Sequence, residues 1–407
     1  MKSLFSILVV SLFFSCSLTY SQWVQTSLTN QRVNTLFVNN NSLLAGTNGN
    51  GIYVSSNNGL TWNSLNGGLT NTFVRALTVS GTNLFAGTYG GGVFRSTDNG
   101  VNWSTANNGV TNPYVLAFAI NSNNIFTGTE ASAGNVFRST NDGSTWSLVN
   151  NGIPSTIIHT LAASGINIFA GTNGSGIYIS TNNGLNWSAV NNGLTNTYIH
   201  SVAANGVNLY AGSEGGMVFI STNNGLGWSG FNVGSAVSTF NAFAFSGTNI
   251  LAGAVGGGVF LSTDNGSSWN AINTGLTDTD VLSLAIKDDS LFAGTFSSGV
   301  WKRPLSEIIT STDDKQSNIP THFSLEQNYP NPFNPSTRIK YEVSSISNVS
   351  LRVYDVLGNE VATLVNEEKP AGSYEIEFNA SSISSGIYFY KIQAGSFVKT
   401  KKMILIK

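Results

Sequence analysis

The sequence predicts an all-β chain, a seven-bladed β-propeller followed by a small immunoglobulin-like β-sandwich. Three observations lead there. Tryptophans fall at Trp62, Trp103, Trp146, Trp187, Trp228 and Trp269, at spacings of 41, 43, 41, 41 and 41 residues, a period that marks a repeat architecture. Each period holds four short strand-like stretches joined by Gly- and Asn-containing turns, the content of one propeller blade. Residues 323–407 abandon that period for short alternating segments separated by turn residues, the pattern of an antiparallel sandwich.

The chain opens with Lys2 and an apolar run from Leu4 to Phe14. The run is too short to span a bilayer comfortably and has the length of a signal-peptide core. Small residues at Thr19 and Ser21 place cleavage after Ser21, so residues 1–21 are expected to leave and Gln22 to begin the mature protein. Cys16, the single cysteine, offers a lipoprotein site as the alternative, with Phe13 standing where such a site wants leucine. If Cys16 leaves, disulfides, cysteine metal sites and cysteine nucleophiles are all excluded. No later segment is long and apolar enough to anchor the chain, so the mature protein is expected to be soluble.

Residues 22–304 are assigned to the propeller. One unit reads as strands Val74 to Val79, Leu84 to Thr88, Gly92 to Ser96 and Asn102 to Ala106. The phrase Ser55-Ser56-Asn57-Asn58-Gly59-Leu60-Thr61-Trp62 recurs in segments beginning at Ser96, Ser139, Ser180, Ser221 and Ser262. It resembles the Asp-box, or BNR repeat, of sialidase-like and photosystem-assembly-factor-like propellers. The turn is structural: the side chain of Asn57, Asp98, Asn141, Asn182, Asn223 or Asp264 accepts backbone amides, the glycine takes a positive φ, and Trp62, Trp103, Trp146, Trp187, Trp228 or Trp269 packs on the hairpin. Only Asp98 and Asp264 keep the family's aspartate. Too few carboxylates remain for a calcium cage, and no metal or other cofactor is expected.

The two ends of the repeat are incomplete in complementary ways. Val281 to Trp301 supplies three strands and exits through Lys302-Arg303-Pro304 without a box, whereas Gln22 to Ser27 reads as a fourth strand alone, with Trp23 standing 39 residues before Trp62. Joining them makes the seventh blade and removes the exposed sheet edges of an open arc. Residues 305–322, polar and rich in Ser, Thr and Asp, are expected to be a flexible linker.

Residues 323–407 begin with Gln327-Asn328-Tyr329-Pro330-Asn331-Pro332-Phe333-Asn334-Pro335-Ser336-Thr337, where alternating prolines deny the chain helical and central-strand hydrogen bonding. Strand-like segments follow at Arg338 to Val343, Val349 to Tyr354, Val361 to Val365, Tyr374 to Phe378, Ile387 to Ile392 and Phe397 to Ile406. With Val353-Tyr354-Asp355, Leu357-Gly358, Ala371-Gly372, Ser385-Gly386-Ile387-Tyr388-Phe389-Tyr390 and the terminal Lys401-Lys402-Met403-Ile404-Leu405-Ile406-Lys407, they resemble the type A sorting domain of the type IX secretion system of Bacteroidetes and related bacteria. That resemblance implies Sec export through the periplasm, recognition by the type IX machinery, and arrival at the outer-membrane surface or in the medium, usually with cleavage of the domain.

In a four-stranded blade the box end and the end carrying the crossover to the next blade lie opposite each other. The box end is monotonous here and the crossover end varies, which locates the expected binding face. One crossover position reads Arg32, Phe73, Tyr114, Ile157, Tyr198, Thr239 and Asp280; two residues later the series is Asn34, Arg75, Leu116, His159, His200, Asn241 and Leu282. Hairpins between second and third strands add Tyr89, Glu130, Glu214 and Phe296. From these, Arg32, Phe73, Arg75, Tyr114, His159, Tyr198, His200, Asn241 and Asp280 are taken as ligand-binding candidates for a glycan or a protein, because rings stack on apolar faces while polar groups fix orientation. Ordinary solvated loop residues are the competing reading.

Composition narrows the function. Charged residues make up 9 % of the chain and the net charge is −2, against about a quarter charged in ordinary proteins. A basic face for nucleic acid is missing. A sialidase needs converging arginines, yet Arg95 and Arg138 occupy repeat positions held elsewhere by Val54, Ile179, Ile220 and Leu261. No catalytic residue is assigned, and the expectation is a non-catalytic binding propeller. The alternative is a glycoside hydrolase using Glu130 and Glu214, or Asp278 and Asp280, since paired carboxylates are the minimum for that chemistry.

Overall fold

The computed structural model describes residues 22–130, 135–234, 237–309, 323–344, 346–369, 372–395 and 397–407. The expected signal peptide, residues 1–21, lies outside the described residues, as do residues 310–322 of the expected linker. The chain divides into two units, Met1–Thr310 and Ser311–Lys407.

Among the described residues the first unit contains seven four-stranded antiparallel sheets. The first runs Val33–Asn39, Ser42–Thr47, Ile52–Ser55 and Asn63–Ser64, in that spatial order. The innermost strands of the others are Val74–Ser80, Val115–Asn121, Ile158–Ser164, Ile199–Asn205, Thr239–Ser246 and Val281–Lys287. Each innermost strand packs against the next, and Val281–Lys287 packs back against Val33–Asn39. The last sheet takes its fourth strand from the other end of the unit, with Val24 paired to Lys302 and Gln25 to Trp301. Trp23 beside it is 2 % exposed.

Small residues permit this packing. The second strands carry Gly46, Gly87, Gly128, Gly171, Gly212, Gly253 and Gly294, and a Cβ at Gly46, Gly128 or Gly253 would sit 2.6, 2.6 or 2.7 Å from the buried Val74, Ile158 or Val281 of the following sheet. The same relation joins Gly294 to Val33, at 2.7 Å, so the repeat's own glycine seats the first sheet against the last. Because cores are close-packed, that position tolerates no side chain.

Leu305–Glu307 form a single 3-10 turn and Ile308 is buried against the last sheet's cluster. The expected linker is therefore corrected at its start. Ile308 is buried and Leu305 and Ile309 are half-buried against that cluster where a solvated spacer was expected, so 305–309 extend the first unit.

In the second unit Ser324–Leu325, Ser336–Val343 and Gly372–Asn379 form one sheet, and Glu360–Lys369, Ser347–Tyr354, Gly386–Ala394 and Phe397–Leu405 the other, in those orders. Ile339, Tyr341, Leu351, Val353, Tyr390 and Met403 lie in the core between them. The Tyr390 hydroxyl donates to the Glu326 carbonyl at 2.7 Å and accepts from the Asn328 amide at 2.8 Å; burial pushes its pKa up to about 12.

Candidate functional site

Every innermost strand of the first unit slips register near its start. Val33 pairs with Thr47 and Thr35 with Gly46, leaving Asn34 without a ladder partner. The same slip isolates Arg75, Leu116, His159, His200, Asn241 and Leu282. A bulge re-aims the extra side chain out of the pleat, and here all seven line one cavity of about 690 Å³. The small residues that follow them, such as Thr35, Ala76, Thr160 and Ser201, line it too.

Of the candidates, Arg32, Arg75, His159, His200, Asn241 and Asp280 reach this cavity; Phe73, Tyr114 and Tyr198 do not. The three rings stand at the rim, 46 %, 39 % and 46 % exposed, where single bridges Asn48 to Phe73, Tyr89 to Tyr114 and Asn173 to Tyr198 tie each crossover to the preceding hairpin. Phe73 and Tyr198 cover Gly49 and Gly174. The position before the bulge does not by itself exclude a side chain, since Arg32, Thr239 and Asp280 stand there and line the cavity; it is the three rings that stay at the rim. Asn34, Leu116 and Leu282, left out of the candidate set, belong to it.

The cavity is electrostatically divided. On the first two sheets, the Arg32 guanidinium lies 4.5 Å from the Phe296 ring centre and that of Arg75 lies 5.2 Å from that of Tyr89, cation–π contacts that hold each guanidinium over a ring face. Arg32 Nε donates to Asn34 Oδ1 at 3.0 Å, and Asn34 Nδ2 donates to the Val74 carbonyl at 2.8 Å. Burial first, and the charge of Arg75 second, hold Arg32 below the usual arginine range.

Across the ring, the imidazoles of His159 and His200 stack with centres 4.3 Å apart and planes 21° apart. His159 Nε2 lies 3.2 Å from Asn173 Oδ1 and His200 Nε2 lies 3.1 Å from Glu214 Oε1. Burial, then the neighbouring His200, drives the His159 pKa down to about 4, so it is neutral at pH 7. Among the described residues no group of three His, Cys, Asp or Glu is placed to hold a metal ion.

The carboxylates weighed for hydrolysis have other partners. Asp278 accepts from the Ser297 amide and hydroxyl at 2.8 Å each and from the Ser298 amide at 2.9 Å. Burial works to raise its pKa, but these donors outweigh it and leave the pKa below the ordinary value, the reverse of what a general acid needs. Asp280 caps the Gly256 amide at 2.7 Å, and Glu130 accepts from the Tyr89 hydroxyl at 3.3 Å. Arg95 and Arg138 donate to the Asp142 and Asn183 carbonyls of the following sheets' turns, at 2.9 and 2.8 Å.

At the opposite end the repeated phrase forms the expected turn. Asn57, Asn141, Asn182 and Asn223 accept, through Oδ1, the amide four residues on at 2.9 to 3.0 Å, and Asp98 and Asp264 do the same at 2.9 Å. The Asn102 amide and side chain, and those of Ser268, hold the two aspartates below the ordinary pKa. Asn58, Asn99, Asp142, Asn183, Asn224 and Asn265 carry φ between +53° and +57°, a left-handed position that Asn and Asp fill at low cost.

The box tryptophan also ties its turn to a neighbouring sheet: the Trp103 ring lies 3.6 Å from the Cβ position of Gly100 in its own turn, while its N–H points away. Nε1 of Trp103, Trp146, Trp187 and Trp228 donates to the Leu65, Ala106, Val149 and Val190 carbonyls of the preceding sheet, at 2.7 to 2.9 Å. Trp62 reaches Thr26 Oγ1 at 3.3 Å, and Trp23 the Ile272 carbonyl at 2.7 Å. The fourth strand is too short to use its last carbonyl in the ladder, so the neighbouring indole satisfies it. Only Trp269 points its N–H back to its own turn, at the Gly266 carbonyl, 3.1 Å.

Residues 327–407 match the family described as the secretion system C-terminal sorting domain. No curated protein matches the chain in sequence. Among solved structures, the protein described as YCF48 bound to D1 peptide is similar at TM-score 0.55 and 15 % identity, over 71 % of this chain and 96 % of that one. YCF48 from Cyanidioschyzon merolae gives 0.53 and 16 %, over 70 % and 98 %. The GH74 xyloglucanase from Xanthomonas campestris gives 0.55 and 14 %, over 93 % and 75 %. Identities this low establish the fold alone. The chain therefore joins a β-propeller unit to a C-terminal secretion sorting domain.

Proposed function

We propose that this is a secreted, non-catalytic, closed seven-bladed propeller of Asp-box type that binds a glycan or protein through the cavity at its crossover end. In this reading a signal peptide at residues 1–21 directs Sec export, and the immunoglobulin-like domain at residues 323–407 carries the propeller through the type IX system to the cell surface or medium. The sorting-domain match supports the route. Among the described residues no helix is long and apolar enough to cross a membrane.

One observation carries the binding reading: seven bulges bring seven side chains of four kinds, amide, guanidinium, aliphatic and imidazole, to one cavity, while the opposite end repeats one turn. A scaffold needs identical positions to be interchangeable. The cavity positions are not, running from arginine through leucine to stacked imidazoles. Concave sites of about 300–1,000 Å³ with a few converging polar groups are the usual form of a ligand site. YCF48 bound to a peptide and a xyloglucanase acting on a glycan share this fold, so the fold accommodates both ligand classes. The test is a glycan array and a peptide array probed with the full chain, repeated with His200→Ala and Asn241→Ala combined. Binding lost in the variant at unchanged melting temperature supports the reading; binding unaffected by it, or glycoside hydrolysis abolished by Glu130→Gln, contradicts it.

A further inference from the structure

We propose that the sector of the cavity formed by the first two sheets is a carboxylate subsite, and that the ligand it takes is an acidic sugar unit of a polysaccharide held by Arg32 and Arg75. This rests on the cavity being the binding site and names the chemistry it selects. Both arginines line the same cavity, close enough that the charge of Arg75 disfavours protonation of Arg32. Neither has an ion-pair partner among the described residues. The two acids that share the lining are engaged elsewhere, Glu130 by the Tyr89 hydroxyl and Asp280 by the Gly256 amide.

Two like charges in a partly desolvated cavity are costly unless an anion joins them. The surroundings also fix the forks for such a ligand. Phe296 and Tyr89 lie under the guanidinium planes, Asn34 occupies the Nε of Arg32, and the Nε of Arg75 is buried with no hydrogen-bond partner. A guanidinium held over a ring keeps its remaining N–H groups free, and such a fork can take a carboxylate in two parallel hydrogen bonds.

The rest of the cavity suits a sugar ring. Asn241 and the His159–His200 pair offer donors and acceptors for hydroxyl groups, and Leu116 and Leu282 offer apolar surface. A volume of about 690 Å³ admits a short run of sugar rings, whereas a flat folded surface could not reach the cavity wall. An acidic peptide side chain is the competing source of a carboxylate, and the experiment separates the two.

The experiment is titration calorimetry of the full chain with tri-galacturonate, its methyl ester, and a tetrapeptide rich in Asp and Glu. The acid is expected to bind at least 10-fold more tightly than the ester and the peptide, with affinity falling as salt rises. Arg32→Gln with Arg75→Gln should bring acid and ester to equal affinity, and Arg32→Lys with Arg75→Lys should recover part of the difference, all at unchanged melting temperature. Equal binding of acid and ester by the native chain, no binding of the acid, or full preference for the acid in the glutamine variant overturns the carboxylate subsite. Tighter binding of the peptide overturns the sugar assignment. His200→Trp fills the cavity from the far side of the ring without touching either arginine; acid binding that survives it places the site elsewhere and overturns the cavity reading as well.

Discussion

His159 is the residue at which the cavity can be read by its effect on folding. Its pKa in the folded protein, about 4, lies below the ordinary 6.5. Between those values the unfolded chain holds a proton that the folded chain does not, so stability falls as pH is lowered through that window. At pH 5 this one group should cost about 2 kcal/mol relative to pH 7. Urea unfolding at both pH values should find the loss in the native chain to be about 2 kcal/mol larger than in His159→Gln; equal losses would mean that His159 is not buried as neutral imidazole. The identity of the cavity residues was only partly legible in the sequence. The series before the bulge divides in a way that spacing does not state: Arg32, Thr239 and Asp280 reach the cavity together with the residues two positions on, whereas Phe73, Tyr114 and Tyr198 stand at the rim. Equivalent positions in the repeat therefore did not reveal which side chains share the cavity.

Strands and turns divide the same way. The box turns were legible because their chemistry is local: one side-chain oxygen, one amide four residues on, and a left-handed Asn-Gly pair. Asn182→Ala removes the acceptor for the Asn186 amide and for the Ser180 hydroxyl and should lower stability by about 1–2 kcal/mol while leaving ligand affinity nearly intact. Contacts between sheets were not legible, because nothing within a single repeat states what its tryptophan or its second-strand glycine touches. Gly128→Ala places a methyl against Ile158 of the next sheet and should destabilise by about 1–3 kcal/mol, measured by thermal melting; no change would mean that the sheets pack less closely than Gly128 and Ile158 indicate. The bulges were invisible for a related reason. A bulge is a property of two paired strands, and its only trace in sequence is a small residue such as Thr35, Ala76 or Ser201 after each variable one.

At the scale of the molecule, the incomplete repeats at the two ends of the first unit were the decisive sequence signal, since a fourth strand with no blade and a blade with no fourth strand have one economical arrangement. Deleting Gln22 to Ser27 removes Trp23 and the partners of Trp301 and Lys302. It should destabilise the propeller by more than about 3 kcal/mol, the scale of a buried tryptophan, whereas an equal truncation of surface chain should be nearly neutral. Removing residues 323–407 should leave the propeller folded and held in the periplasm, which fractionation of the native host would reveal; normal appearance of the truncated chain outside the cell would contradict the sorting role. The central claim, that variable bulge residues convert a repetitive ring into a selective cavity, is tested most directly by a crystal structure of the full chain with the best-bound array ligand. The account predicts ligand density between Arg75, His159, His200 and Asn241, with a carboxylate at Arg32 and Arg75. Density at the box end, or at the rim rings Phe73 and Tyr198 with the cavity left to water, would contradict it.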